Sequence, residues 1–168
     1  SIPHYHEELT TPKIAAVLTI SDSCSRGERA DLSGPATADL LRQYGFQVAH
    51  HEIVPDDQPI IEEALRRCSQ QVRLVVTTGG TGIAERDVTP EATRAVCSKL
   101  IEGIPERMRA IGVAETPFAL LTRGVCGVCG GTLILNLPGS PYGAVQSLQG
   151  VIDILPHVLE LLEGKTGH

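Results

Sequence analysis

The chain has 168 residues, 42% hydrophobic and 20% charged, the balance of one soluble domain with a real core. Its net charge of −6 excludes a surface that draws nucleic acid or an anionic membrane as a whole, and 3% aromatic residues with no tryptophan argue against a base-stacking platform. An anionic ligand must be held locally, by backbone N–H groups, an arginine or a metal.

Residues 1–12 read as a loose polar leader, 13–163 as a single domain and 164–168 as a frayed end. Ile14–Ile20 is an almost unbroken apolar run and predicts a strand covered on both faces. A helix follows, with Ser33 as its cap, Pro35 just inside and Gly45 at its stop. Gln47–Val54 predicts a second strand, ended by Pro55-Asp56-Asp57. Ile60, Ile61, Ala64, Leu65 and Cys68 then fall at helical spacing. Leu74–Thr78 predicts a third strand.

Residues 90–100 predict a helix capped by Thr89, with Ala92, Ala95, Val96 and Leu100 inward, and 105–113 a further helical piece. Residues 118–122 and 125–129 read as two strands of a hairpin around Arg123-Gly124. Thr132–Leu137 is a buried strand, 138–141 a tight loop, and 143–154 and 156–163 are helical. Strands alternating with helices favour an α/β three-layer sandwich around a mostly parallel sheet, with a small β-hairpin.

Five cysteines, Cys24, Cys68, Cys97, Cys126 and Cys129, are odd in number and scattered, so no disulfide framework is expected and a cytoplasmic setting is. Cys126 and Cys129 have metal-like spacing but no second pair, and read as small buried strand residues. No apolar run of about 18 residues and no signal-peptide pattern appears. His4, His6, His50 and His51 read as chance surface histidines.

In an open parallel sheet, ligands gather outside the carboxyl ends of the strands. Five loops are expected to share that rim: 21–23, 55–57, 79–87, 122–124 and 136–141. The third is the richest. Gly79, Gly80 and Gly82 let the backbone approach phosphate oxygens. Thr81, Ser23 and Ser140 offer hydroxyls. Asp56 and Asp87 are hard oxygen ligands suited to Mg2+ with substrate phosphates. Arg86 or Arg123 could offset charge on a transferring phosphorus. Taken singly, each loop also reads as an ordinary turn or cap. No Walker-type G-x-x-x-x-G-K-[ST] sequence and no G-x-G-x-x-G near the first strand is present.

The stretches Leu18-Thr19-Ile20-Ser21-Asp22-Ser23, Asp31-Leu32-Ser33-Gly34-Pro35, Val54-Pro55-Asp56, Thr78-Gly79-Gly80-Thr81-Gly82, Arg86-Asp87-Val88-Thr89-Pro90-Glu91-Ala92-Thr93 and Asn136-Leu137-Pro138-Gly139-Ser140-Pro141 resemble the MogA/MoaB-type family, to which the N-terminal domain of gephyrin is similar. The resemblance spans residues 13–162. It implies a molybdopterin adenylyltransferase that transfers AMP from Mg-ATP to the terminal phosphate of molybdopterin in molybdenum cofactor biosynthesis. Asp56 and Asp87 match the family's catalytic acids, as magnesium and triphosphate organisers. Gly79, Gly80, Thr81 and Gly82 match the phosphate loop. Asp22, Ser23, Asn136, Pro138, Gly139 and Ser140 match loops lining the nucleotide and pterin pocket.

Thr122 stands where gephyrin-like members carry a serine, and Glu85 where a proline is expected. The resemblance also implies a homo-oligomer, with a trimer favoured over a hexamer, and a molybdenum insertase as a candidate partner. Two other readings stay open: a non-catalytic MoaB-type molybdopterin-binding or scaffold protein, and a pterin or nucleotide hydrolase on the same fold.

Overall fold

Apolar, largely β-branched side chains make Ile14–Ile20 a strand, β1, and all but its first residue are buried. The computed structural model describes residues 13–164; the expected leader, with His4 and His6, and the tail beyond Gly164 lie outside the described residues. Onward from β1 come α1 (Asp22–Ser25), α2 (Ser33–Gln43), β2 (Gln47–Val54), α3 (Gln58–Ser69) and β3 (Leu74–Thr78). The second half holds α4 (Thr89–Val96), β4 (Lys99–Leu100), α5 (Gly103–Val113), a 3-10 turn (Pro117–Leu121), β5 (Cys126–Cys129), β6 (Thr132–Leu137), α6 (Pro141–Gln149), a second 3-10 turn (Ile152–Ile154) and α7 (Leu155–Leu162).

The six strands among the described residues form one sheet in the order β2-β1-β3-β6-β5-β4. The first four are parallel, with Val17 opposite Val76 and Val76 opposite Leu135; β5 runs antiparallel to both β6 and β4. Alternate strand residues feed two apolar cores. Ala15, Val17, Leu74, Val76, Leu133 and Leu135 meet Leu40 and Leu41 of α2, Ala144 and Leu148 of α6 and Leu155 and Leu159 of α7. Ala16, Leu18, Val75 and Ile134 meet Ile61, Ala64, Leu65 and Cys68 of α3 and Ala92 of α4. These are the three layers expected. Each fully buried Leu or Ile contributes about 1.5–3 kcal/mol of transfer free energy, which fixes the strand ends that carry the loops.

Four local expectations are corrected. Ser33 is the first helical residue of α2 rather than its cap; its hydroxyl donates to Thr78 Oγ1, while Asp31 Oδ1 accepts from the Gly34 N–H. Helix α4 stops at Val96, because Cys97 is extended and Ser98 N and Ile101 N donate to β5 carbonyls instead. Ala95 and Leu100 are therefore exposed, and Lys99–Leu100 is an edge strand.

Residues 118–122 are not a strand. Pro117 opens a 3-10 turn capped by Thr116 Oγ1, and the hairpin is β5–β6, across Gly130-Gly131. The helix expected over 143–154 begins at Pro141, with Ser140 as its cap, and ends at Gln149.

Candidate active site

Strands β1, β2, β3 and β6 all end at one rim, and Thr122-Arg123-Gly124 reaches it by preceding the antiparallel β5. A cavity of about 320 Å3 opens there, and both Asp56 and Asp87 line it, with Gly79, Gly80, Gly139 and Ser140. Thr19, Ser33 and Thr78 supply hydroxyls; Arg29 and Arg86 are its cations.

Asp56 is set by an exchange with Asp22. The Asp22 N–H donates to Asp56 Oδ2 (3.0 Å), and the Asp56 N–H donates to Asp22 Oδ1 (2.9 Å). This fixes the loop after β2 against the start of α1 and leaves the other oxygen of Asp56 toward Gly80. Burial pushes the Asp56 carboxyl above its ordinary range, and the charges of Asp22 and Asp87 add to that; the Asp22 N–H and Arg86 oppose it. Asp87 Oδ2 accepts from the Ala84 N–H (3.0 Å), so it too is oriented by its own loop. Two half-free carboxylates lining one cavity form a hard-oxygen donor set that fits a divalent cation.

The glycines are required by space as well as by φ. Gly79 and Gly80 have φ of +98° and +68°. A Cβ on Gly79 would strike the Ile20 carbonyl oxygen, and one on Gly80 would strike Thr89 Oγ1 and stand 3.1 Å from Asp56 Oδ1. Thr89 Oγ1, expected as a helix cap, instead donates to the Gly79 carbonyl and tethers the turn.

Arg123 braces the loop from behind. Its Nε donates to Gly82 O (2.8 Å), its Nη2 to Asp87 O (2.8 Å) and its Nη1 to Glu91 Oε2 (2.7 Å). It is committed to structure, which leaves Arg86 and Arg29 as the cations facing the cavity.

A second cavity, of about 260 Å3, meets the first at Ser140. Met108, Phe118, Ala119, Pro138 and Tyr142 give it an apolar lining, with Thr122 and Asn136 among its polar groups.

Residues 16–157 match the family model described as "Probable molybdopterin binding domain". The chain belongs to the molybdopterin-binding domain family. A molybdopterin adenylyltransferase of Helicobacter pylori strain J99 is 42% identical over 152 residues, 88% of this chain and 86% of that protein. The molybdopterin adenylyltransferase of Escherichia coli K12 is 37% identical over 167 residues, covering 88% and 84%. Among solved structures, the molybdopterin biosynthesis enzyme MoaB from Thermus thermophilus superposes with a TM-score of 0.85 at 47% identity, covering 92% of this chain and 99% of that one.

Within this molybdopterin-binding domain, the residues singled out from sequence divide among distinct places. Asp56, Asp87, Gly79, Gly80, Gly139 and Ser140 share the charged cavity. Thr122, Asn136 and Pro138 line the apolar one, with Ser140 common to both. Asp22 and Ser23 do not line either cavity; the Asp22 carboxylate holds the Asp56 backbone, and Ser23 Oγ pairs with Ser21 Oγ at 3.3 Å. Thr81 and Gly82 belong to the loop but do not line either cavity. Thr81 Oγ1 accepts from Thr122 Oγ1 (3.2 Å), and the Gly82 carbonyl takes Arg123.

Asn136 is buried and saturated. Its Oδ1 accepts from Val125 N (3.0 Å), and its Nδ2 donates to Thr77 Oγ1 (3.1 Å) and Thr93 Oγ1 (3.0 Å). Sequence reasoning missed Arg29, Ser33 and Thr78 as lining groups. It also read His51 as incidental, whereas His51 Nε2 lies 3.1 Å from both Asp31 Oδ2 and Thr19 Oγ1, at the cavity wall. Only the Asp-x-Ser-Gly pattern itself could have flagged that wall.

Proposed function

We propose that this chain is a molybdopterin adenylyltransferase of molybdenum cofactor biosynthesis. The observation that carries the reading is the meeting of Asp56 and Asp87 in one cavity with the glycine turn. A protein that only captures a pterin has less need of a paired carboxylate site. Relatives named molybdopterin adenylyltransferase, matched over most of both chains, support the same substrates.

In the reaction, an oxygen of the terminal phosphate of molybdopterin forms a bond to the α-phosphorus of ATP. The bond from that phosphorus to the α–β bridging oxygen breaks, and pyrophosphate departs with the electron pair. The protein supplies position and charge. The free oxygens of Asp56 and Asp87 would hold Mg2+, which when bound neutralises triphosphate oxygens. The backbone of Gly79 and Gly80 lets phosphate oxygens approach closely. Arg86 and Arg29 face the charge that builds on the reacting phosphates. The apolar cavity, with Phe118 and Tyr142, suits a flat heterocycle of one of the two substrates.

The same reading takes the protein as a homotrimer that hands its product to a molybdenum insertase. A cytoplasmic setting rests on five cysteines left unbridged. No described helix is long and apolar enough to cross a membrane. Incubation with molybdopterin and Mg-ATP, followed by mass detection, is expected to yield adenylylated molybdopterin. Asp56→Asn and Asp87→Asn should lose turnover and keep molybdopterin binding. Tight pterin binding with no ATP use by the wild type would overturn the transferase reading, and normal adenylylation by both variants would overturn the metal assignment.

A further inference from the structure

Among the described residues, strand β2 is an edge of the sheet, paired only with β1, and α3 covers one of its faces. His50 and Glu52, two apart on β2, point to that face, where α3 presents Cys68. One ligand atom from each of the three lies within 4.8 Å of the others. His50 Nε2 is 2.9 Å from Glu52 Oε1, and Cys68 is 2% exposed. None of the three lines the cavities described above.

We propose that His50, Glu52 and Cys68 form a zinc site that staples β2 to α3. A thiolate, an imidazole and one carboxylate are a borderline-soft donor set, unlike the all-oxygen pair Asp56 and Asp87. A water completes four-coordination on the side where the His50 ring is partly exposed. The charges balance: one thiolate and one carboxylate neutralise Zn2+.

The protons balance too. Nε2 of a neutral His50 takes up the metal through its lone pair with the ring proton on Nδ1, and Cys68 gives up its thiol proton, so one proton leaves per ion bound. Without a cation the thiol has reason to stay protonated, because burial first and then the Glu52 charge push its pKa up. Arg67 grips Glu52 at 2.7 and 3.0 Å and Glu63 at 3.0 Å. Each carboxylate oxygen has a second lone pair, so Arg67 can remain as the outer partner that orients Glu52 toward the ion.

The staple has a location of consequence. Residues 52 and 68 lie on the two elements joined by the turn at 55–57, and Asp56 sits in that turn.

The test uses the full chain, stripped of metal and titrated with Co2+. The expected result is a thiolate-to-cobalt charge-transfer band that saturates at one equivalent, is abolished by Zn2+ and accompanies release of about one proton per ion in weakly buffered solution. Cys68→Ser should lose the band, His50→Ala should weaken binding at least ~10-fold, and the double variant Asp56→Asn/Asp87→Asn should keep the band. Absence of the band in the wild type, its persistence in Cys68→Ser, or unchanged affinity in His50→Ala overturns the proposal. The exposed position of the His50 ring keeps the second variant informative if the buried Cys68→Ser chain fails to fold.

Discussion

Arg123→Lys should be among the most damaging changes outside the cavity. The guanidinium reaches three partners in three directions, the carbonyls of Gly82 and Asp87 and the carboxylate of Glu91. A lysine ammonium on a different stem cannot reproduce that fork. Charge-assisted bonds to the two carbonyls, in a partly buried setting, are worth about 1–1.5 kcal/mol each. The pair with Glu91, whose side chain is 42% exposed, adds under about 1 kcal/mol. The loss is therefore about 2–4 kcal/mol, a fall in Tm of about 4–16 °C for a domain of this size.

Both carbonyls belong to the loop that presents Asp87, so turnover should fall further than pterin binding does. Thermal melts and adenylylation rates of Arg123→Lys, read beside Glu91→Gln, separate the loop brace from the ion pair. The reasoning is refuted if Arg123→Lys melts and turns over like the wild type, or if Glu91→Gln costs as much as Arg123→Lys.

Two further outcomes follow from the same geometry. The Asp56 carboxyl is raised in the fold chiefly by burial, so the stability of its protonated form is complete below the unfolded value of about 3.9 and is lost as pH rises through the folded value. In metal-free buffer Asp56→Asn should thus melt above the wild type at pH 7.5, with the gap closing below pH 4; equal melting at pH 7.5 would count against it. Asn136→Ala strands the buried Val125 N–H and empties a packed site, and should cost about 2–4 kcal/mol in urea denaturation. A cost under about 1 kcal/mol would show that water or a neighbour replaces the amide.

The layers and the rim were legible in the chain because β1, β2, β3 and β6 carry continuous or alternating apolar patterns bounded by turn residues. Gln47–Val54, Leu74–Thr78 and Thr132–Leu137 fall where the pattern puts them. The stretches 97–100 and 117–121 did not read correctly, whereas the helical piece expected over 105–113 is present as α5. Leu100 and Leu120 look like core residues in sequence, yet both are exposed, and only the β5 ladder and Pro117 decide their conformation.

Within the site, the acids and glycines were visible by type, but their support was not. Asp22 and Asp56 are 34 residues apart and meet through backbone N–H groups, which no side-chain pattern announces. Arg86 and Arg123 look equivalent in sequence; the carbonyls of Gly82 and Asp87 make one of them a brace. Of three tyrosines and two phenylalanines, Tyr142 and Phe118 share one cavity wall, a convergence invisible across the intervening chain.

The mutual grip of Asp22 and Asp56 bears on affinity. A side chain already held in one rotamer has no torsional freedom left to surrender when a ligand arrives, so that entropic penalty, about 0.5–1.5 kcal/mol for each flexible side chain frozen at an interface, is met when the chain folds rather than at each encounter. Loosening either aspartate would return that penalty to the moment of docking, weakening the complex even where every direct contact to the ligand is kept.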